Sequence, residues 1–184
     1  MDDTEIFEDK VTWSILKDDV KEKLYRTGIL VFKSHLDDSG KIAIMEIMVS
    51  RETVYIFRID LLGYIPKLIL KSLKNPYIMK VGFNLAQEER RFDRIGWPII
   101  TKLELSDMAP NISLRELMEI VNPRTRVVDN IPIVYNWPLE LSPDQVEYLK
   151  FQVKACHDIV RYFAGISEDR DATFVDLSRF KENL

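Results

Sequence analysis

Residues 28–59 read GILVFKSHLDDSGKIAIMEIMVSRETVYIFRI, and this stretch decides the fold. Gly28–Phe32 is a short, fully apolar run that is typical of a buried strand. Lys41–Val49 and Thr53–Ile59 are rich in residues that favour strands, and the three residues between them give the spacing of a hairpin. Three strands joined by such short links predict an antiparallel meander.

Downstream of the meander, helices and strands alternate. Ser113 and Glu116 form a capping box that begins one helix, and Ser142 followed by Pro143 begins another. The predicted strands are Met79–Phe83 and Leu103–Leu105, and the predicted helices are 16–26, 66–74, 85–95, one that begins at Ser113, and 142–163. This order is that of an RNase H-like domain, although several α+β folds share it. We therefore predict an α/β protein with a mixed five-stranded sheet flanked by helices.

The composition is that of an ordinary globular domain. The chain has 184 residues, of which 46% are hydrophobic and 30% charged, which is enough for one domain with a substantial core. We predict a flexible N-terminus at 1–12, the folded domain at 13–165 and a polar C-terminal tail at 166–184. The formal charge of −4 removes the simplest argument for nucleic-acid binding, because proteins that grip phosphates usually carry a basic face.

Three features predict an intracellular protein, in the nucleus or the cytoplasm, with no membrane partner. No apolar run approaches the roughly 20 residues that a membrane span needs. The segment 1–10 is acidic and has no apolar signal-peptide core. Cys156 is the only cysteine, which excludes an intramolecular disulfide and fits a reducing compartment.

Three segments resemble motifs of the DEDD-type 3′–5′ exonucleases of the ribonuclease D and Werner-exonuclease group. Residues 80–92, which begin KVGFN, resemble the second motif of that family. Residues 105–109, LSDMA, resemble its Leu-Thr-Asp-x-Ala segment, and residues 136–145, NWPLELSPDQ, resemble the approach to its final helix. The resemblance runs from about residue 28 to 163 and implies an RNase H-like 3′–5′ exonuclease fold.

The same resemblance implies that most of the family's catalytic carboxylates are replaced. Family members hold two metal ions, usually Mg²⁺ or Mn²⁺, with four carboxylates, and a tyrosine near the last one orients the attacking water. The first motif falls on Lys33 and His35, the second on Glu88, and the third on Tyr148 and Gln152. One carboxylate cannot hold two divalent cations at catalytic geometry. We therefore expect no metal, no cofactor and no nuclease activity.

Asp37 and Asp38 leave an alternative open. A shifted alignment of the first motif would recruit them, and the chain would then be an active metal-dependent exonuclease with rearranged ligands. Against that alternative, Asp37-Asp38-Ser39-Gly40 is typical of a turn, whereas the family's acids belong to the strand.

Glu88 lies on the apolar stripe of its predicted helix, where a carboxylate needs a partner. We predict an ion pair with Lys33 of the neighbouring strand, the alternative being a boundary side chain that reaches water. Tyr148 and Gln152 lie one helical turn apart and are predicted to hydrogen-bond each other or the backbone rather than a nucleotide. His35, with Cys156 and His157 on the last helix, is expected to be structural and not a metal ligand.

Basic side chains mark where a nucleic acid would contact the chain. Arg124 and Arg126 precede the final helix, at the side where substrate reaches family members. The densest basic cluster is Arg90, Arg91 and Arg94 with Lys80 nearby, although Glu89 and Asp93 favour an ordinary solvated helix face. Tyr135 and Trp137 are candidates for base stacking, and for Trp137 core packing is the favoured alternative.

The resemblance implies a function by analogy, since a fold alone does not dictate one. We predict a catalytically inactive exonuclease-like domain that acts as an adaptor in an RNA-related complex, such as one for small-RNA silencing or mRNA handling. Its expected partner is a protein, with RNA as a second partner left open. Besides the active exonuclease, the remaining alternative is a purely structural dimerisation module that forms a homodimer.

Overall fold

The structure is a computed structural model that describes residues 3–8, 10–51, 53–122 and 137–164. The strands are β1 Asp3–Phe7, β2 Ile29–Leu36, β3 Ile42–Met48, β4 Thr53–Arg58, β5 Met79–Gly82 and β6 Lys102–Glu104. The helices of the described ranges are α1 Lys10–Thr27, α2 Ile59–Leu62, α3 Lys67–Leu73, α4 Leu85–Arg94, α5 Leu105–Met108, α6 Leu114–Val121 and α7 Pro143–Phe163. None of these helices is both long enough and apolar enough to cross a membrane.

The strands form one mixed sheet in the order β1-β4-β3-β2-β5-β6. β2, β3 and β4 are antiparallel, which confirms the meander. β5 and β6 continue the sheet parallel to β2. The α/β class and the flanking helices are therefore confirmed.

The predicted number of strands was wrong by one, because the sheet has six. The additional strand is β1, which pairs in parallel with β4 and comes from the segment expected to be a loose end. β1 has few apolar residues, but Phe7 is fully buried. The Phe7 ring stacks on that of Phe57, with centroids 4.8 Å apart, and packs edge-on against that of Trp13, with centroids 5.6 Å apart. Backbone pairing and this aromatic cluster stabilise a strand that its own sequence does not predict.

The two faces of the sheet carry separate cores, because successive side chains of a strand point to opposite sides. Val31 of β2 packs with α6 and α7 on one face. Leu30 and Phe32 pack with α1, α3 and α4 on the other. The central strands lie between these two cores and are buried on both faces, which explains the apolar runs of the meander.

The helices predicted to start at Ser113 and Ser142 both do so. Each start has a capping box, Ser113–Glu116 for α6 and Ser142–Gln145 for α7, and Pro143 lies in the first turn of α7. Leu105, expected to end a strand, instead begins α5, because the Glu104 carboxylate accepts a hydrogen bond from the Ser106 N–H and starts the helix there. The predictions for residues 166–184 lie outside the described residues.

Candidate functional site

Glu88 lies on α4 at the point where β5 ends beside β2. Its side chain has no exposed surface, and the Lys33 Nζ lies 3.3 Å from its Oε1. The predicted ion pair between these two residues is therefore confirmed. The lysine keeps 19% of its side-chain surface exposed and also donates to the Phe83 carbonyl oxygen, so its charge is not wholly desolvated.

Ser34 and Arg91 complete what we call the Glu88 cluster, which consists of Lys33, Ser34, Glu88 and Arg91. The Ser34 hydroxyl donates to Glu88 Oε2. The Arg91 Nη1 lies 2.8 Å from Glu88 Oε1 and 3.1 Å from Ser34 Oγ, and it also donates to the Ser34 carbonyl oxygen. Each carboxylate oxygen thus has a donor, and two cations face one buried carboxylate. The family resemblance did not identify Ser34, whereas the i,i+3 spacing of Glu88 and Arg91 could have indicated their contact.

Glu104 fixes the helix that carries Glu88. Its carboxylate accepts hydrogen bonds from the Asn84 N–H at 2.8 Å and from the Leu85 N–H. Asn84 has a positive φ of 63° and its side chain does not cap the helix. The Glu104 carboxylate of β6 therefore replaces the N-cap side chain as acceptor for the first N–H groups of α4. The direction of α4, and with it the position of Glu88, therefore depends on β6.

A second buried carboxylate, Glu46 of β3, lies next to the cluster. It is fully buried and stands opposite Lys33 in the β2–β3 register. The His35 Nε2 lies 2.8 Å from Glu46 Oε1, and among the described residues Glu46 Oε2 has no hydrogen-bond partner. The sequence analysis missed Glu46, although a single acid inside the apolar strand IAIMEIM was the available signal.

Burial dominates the proton equilibria around Glu46. Desolvation raises the pKa of Glu46, and the neighbouring His35 and Lys33 counteract it only in part. Burial, together with the Glu46 charge, also raises the pKa of Tyr148. Burial raises the pKa of the Cys156 thiol to about 12, which leaves it a neutral side chain in the core at physiological pH.

A Glu46→Gln substitution tests this burial. Because the pKa of Glu46 is raised above its ordinary 4.5, the folded protein binds that proton more tightly than the unfolded chain does. The stability contributed by this group is present below pH 4.5 and is lost as the pH rises through the raised value. We expect the variant to gain stability relative to the parent as the pH rises above 4.5, measured by urea unfolding. A difference between parent and variant that does not change with pH would contradict the raised pKa.

Two aromatic side chains lie against the Glu46–His35 pair. The His35 ring contacts the rings of Trp137, with centroids 5.5 Å apart, and Tyr148, 6.1 Å apart. Trp137 is partly buried against the core, where it is in contact with His35. Tyr148 and Gln152 were predicted to hydrogen-bond each other or the backbone, and in the described part of the chain the first of these two arrangements is not formed.

The basic residues do not form the single cluster that the sequence indicated. Lys80 is fully buried and donates to the carbonyl oxygens of Asn75 and Ile78 at 2.8 and 2.6 Å. Burial lowers its pKa to about 8, and its charge does not reach the helix face. Arg91 belongs to the Glu88 cluster, whereas Arg90 and Arg94 are exposed. A role in nucleic-acid binding stays a prediction for Arg90 and Arg91, and Arg124, Arg126 and Tyr135 lie outside the described residues.

The donor set at the motif positions does not fit two divalent cations. The ammonium of Lys33 and the guanidinium of Arg91 lie at bonding distance from the one carboxylate that would be a ligand. Divalent cations of this kind prefer several carboxylate oxygens free of competing cations. Within the described ranges, no group of three or more His, Cys, Asp or Glu side chains is arranged to hold a metal ion.

Comparison with solved structures defines the class of fold. The chain has the RNase H-like fold of DEDD-type 3′–5′ exonuclease domains, a mixed sheet flanked by helices.

Two exonuclease domains are among the solved structures that match. The Aedes aegypti Nibbler EXO domain matches with a TM-score of 0.70 and 11% identity over 86% of each chain. The EXD2 exonuclease domain, from a crystal soaked in Mn, matches with a TM-score of 0.51 and 17% identity over 88% of this chain and 89% of that one. No protein-family model and no curated protein matches the chain. At these identities the likeness establishes the fold.

Proposed function

We propose that the chain is a catalytically inactive exonuclease-like domain that acts as an adaptor in an RNA-related complex. The observation that carries the proposal is the contact of Lys33 with Glu88, 3.3 Å apart inside the protein. At this position the lysine supplies the positive charge that a metal ion supplies in a metal-dependent nuclease. The fold is thereby kept with an internal ion pair in place of a metal ligand.

The surroundings of the pair support the same proposal. Arg91 and Ser34 also donate to Glu88, so that a metal ion bound to this carboxylate would compete with both of them and with Lys33. His35 bonds to Glu46, and Gln152 is a neutral amide. Without a metal to activate water, the two-metal chemistry of such nucleases has no basis at this site.

A metal titration with a restored variant tests the loss of catalysis. We expect the parent chain to bind neither Mn²⁺ nor Mg²⁺ in calorimetry and to leave labelled single-stranded RNA and DNA intact. The combination Lys33→Asp, His35→Glu, Glu88→Asp and Gln152→Asp returns four carboxylates to the motif positions and is expected to bind Mn²⁺. Binding by this variant and not by the parent would show that these replacements removed the metal site.

One observation favours an active exonuclease as the second candidate. Glu46 is a carboxylate next to the motif positions, and one of its oxygens has no hydrogen-bond partner in the described part of the chain. A metal that recruited Glu46 and Glu88 would have rearranged ligands. Mn²⁺-dependent digestion by the parent that disappears in both Glu46→Gln and Glu88→Gln would establish this candidate and refute the inactive domain.

The adaptor role needs its own measurement. RNA binding that weakens with salt and falls when Arg124 and Arg126 are replaced by glutamine would support an RNA-binding adaptor. A stable homodimer without RNA binding would instead support the dimerisation module.

A further inference from the structure

A pocket lies at the opposite end of the sheet from the Glu88 cluster. It has a volume of about 350 Å³ and lies between the end of α6, the link between β3 and β4, and the C-terminal half of α7. Its walls carry Arg51, Lys154 and Arg161 against one carboxylate, that of Asp158. We call it the Arg51 pocket. Ile29 at the start of β2 lines the small cavity beside this pocket and lies four residues before Lys33, or about 13 Å along the strand.

A small inner cavity adjoins the Arg51 pocket and shares two of its wall residues, Arg51 and Arg161. Its volume is about 10 Å³, roughly the space of one oxygen atom or water molecule. Ser50 and His157 line it, and both side chains are more than nine-tenths buried. Within the described ranges, neither the Ser50 Oγ nor the His157 Nδ1 has a hydrogen-bond partner.

Buried polar atoms without a partner are costly, typically by about 1–3 kcal/mol each, and two that line one cavity indicate a common ligand atom. A serine hydroxyl can donate, and so can the Nδ1–H of one histidine tautomer. The Asp158 Oδ1 lies 3.7 Å from that nitrogen, which is too long for a hydrogen bond. An oxygen that accepts two hydrogen bonds would satisfy both atoms.

The outer walls indicate that this oxygen belongs to an anion. Arg51, Lys154 and Arg161 bring three positive charges to the wall, and each also has interactions within the protein. A tetrahedral phosphate could place one oxygen in the inner cavity and leave the others facing these cations, where charge-assisted hydrogen bonds are strong. Tyr162, 58% exposed at the mouth, offers an aromatic face beside them.

We propose that the Arg51 pocket binds the phosphate group of a small phosphorylated ligand, with one phosphate oxygen held by Ser50 and His157. This site is separate from the motif positions of the exonuclease fold and does not depend on the function proposed for them. Inorganic phosphate and a nucleoside monophosphate share the required chemistry, and the Tyr162 ring distinguishes them, since only the nucleotide has a base to stack on it.

The two histidines of the chain provide a direct readout. In imidazole NMR spectra of the full chain, titration with inorganic phosphate is expected to shift the His157 signals and leave those of His35 unchanged. His35 belongs to the Glu46 pair at the other end of α7 and so acts as an internal control. His157 signals that stay constant in about 20 mM phosphate at low salt, where even millimolar affinity would be detected, would overturn the proposal.

Variants with a matched control test the contacts. Ser50→Ala and Lys154→Gln are each expected to weaken phosphate binding about tenfold in calorimetry, because each loses one hydrogen bond to a charged group. Lys150→Gln is the control, since Lys150 lies one turn earlier on α7, pairs with Glu147 at 2.7 Å and does not line the pocket. Equal weakening in all three variants would mean that only the general charge of the helix matters, and would refute the site.

Adenosine monophosphate distinguishes the two sources of the phosphate. If it binds more tightly than inorganic phosphate and Tyr162→Leu removes the difference, the ligand is a nucleotide. If both bind alike, the pocket recognises the phosphate alone. A crystal grown with phosphate that shows only a water between Ser50 and His157 would contradict both forms of the proposal.

Discussion

Replacing Glu88 by alanine is expected to lower the free energy of unfolding by about 3 to 5 kcal/mol, the usual cost of breaking a buried charge pair by removing one partner. The substitution leaves the Lys33 ammonium, the Arg91 guanidinium and the Ser34 hydroxyl without their shared acceptor. These donors are only one-fifth exposed or less, so water replaces the carboxylate poorly. Urea-induced unfolding followed by circular dichroism measures the change.

Two further variants distinguish the charge from the volume of the side chain. Glu88→Gln keeps the shape and an acceptor oxygen, and we expect it to cost less than alanine. Glu89→Ala, at the next position of α4, removes a surface ion pair with Lys102 and is expected to cost at most about 1 kcal/mol. If Glu88→Ala were no more harmful than Glu89→Ala, the Glu88 cluster would not contribute to stability as described.

Arg58→Met is expected to be similarly destabilising, by about 3 kcal/mol or more. Arg58 is 1% exposed at the end of β4 and makes a two-pronged contact with Asp60, at 3.0 and 2.7 Å. Its remaining nitrogen donates to the Leu139 carbonyl oxygen at 2.9 Å and lies 3.7 Å from Glu8. One guanidinium therefore connects the segment after β1, the end of β4 and the segment that leads to α7.

The bidentate geometry gives this prediction a specific control. Arg58→Lys keeps the charge but not the planar fork, so most of the loss should remain, because a lysine ammonium cannot make the two parallel N–H bonds to Asp60. Arg94→Met, at an exposed position of α4, should change stability by less than about 0.5 kcal/mol. An Arg58→Lys variant as stable as the parent would show that only the charge is needed.

Local sequence determined the elements whose signal is contained in a few neighbouring residues. The apolar run before Lys33 and the hairpin spacing around Ser50 predicted the central meander, and the capping box at Ser113 and the helix start at Ser142 and Pro143 were correct. The apolar stripe of α4 also predicted that Glu88 would be buried, and the adjoining strand supplied Lys33 as its partner. Such patterns are short-range, since they depend on side-chain period and on helix-end chemistry.

Other features depend on contacts between residues that are distant in sequence. β1 is a strand because it pairs with β4 and because Phe7 packs in an aromatic cluster. Arg58 is buried because acceptors from three segments lie around its guanidinium. No local pattern shows which acceptors will converge. Sequence alone placed Lys80 near a basic surface, whereas its strand turns it inward to two carbonyl oxygens.

At the site around Glu88, too, some features follow from the sequence and others only from the tertiary structure. The sequence by itself determined which residues occupy positions 33, 35 and 152, namely Lys33, His35 and Gln152, and their match to acid positions of the exonuclease motifs stays a prediction from the resemblance. Only the tertiary structure decided that Arg91 and Ser34 join Lys33 on Glu88 and that His35 pairs with Glu46 of the next strand. The physical reason is that a buried charge takes whichever partners the packed elements bring within hydrogen-bond distance, and strand register and helix direction set those distances.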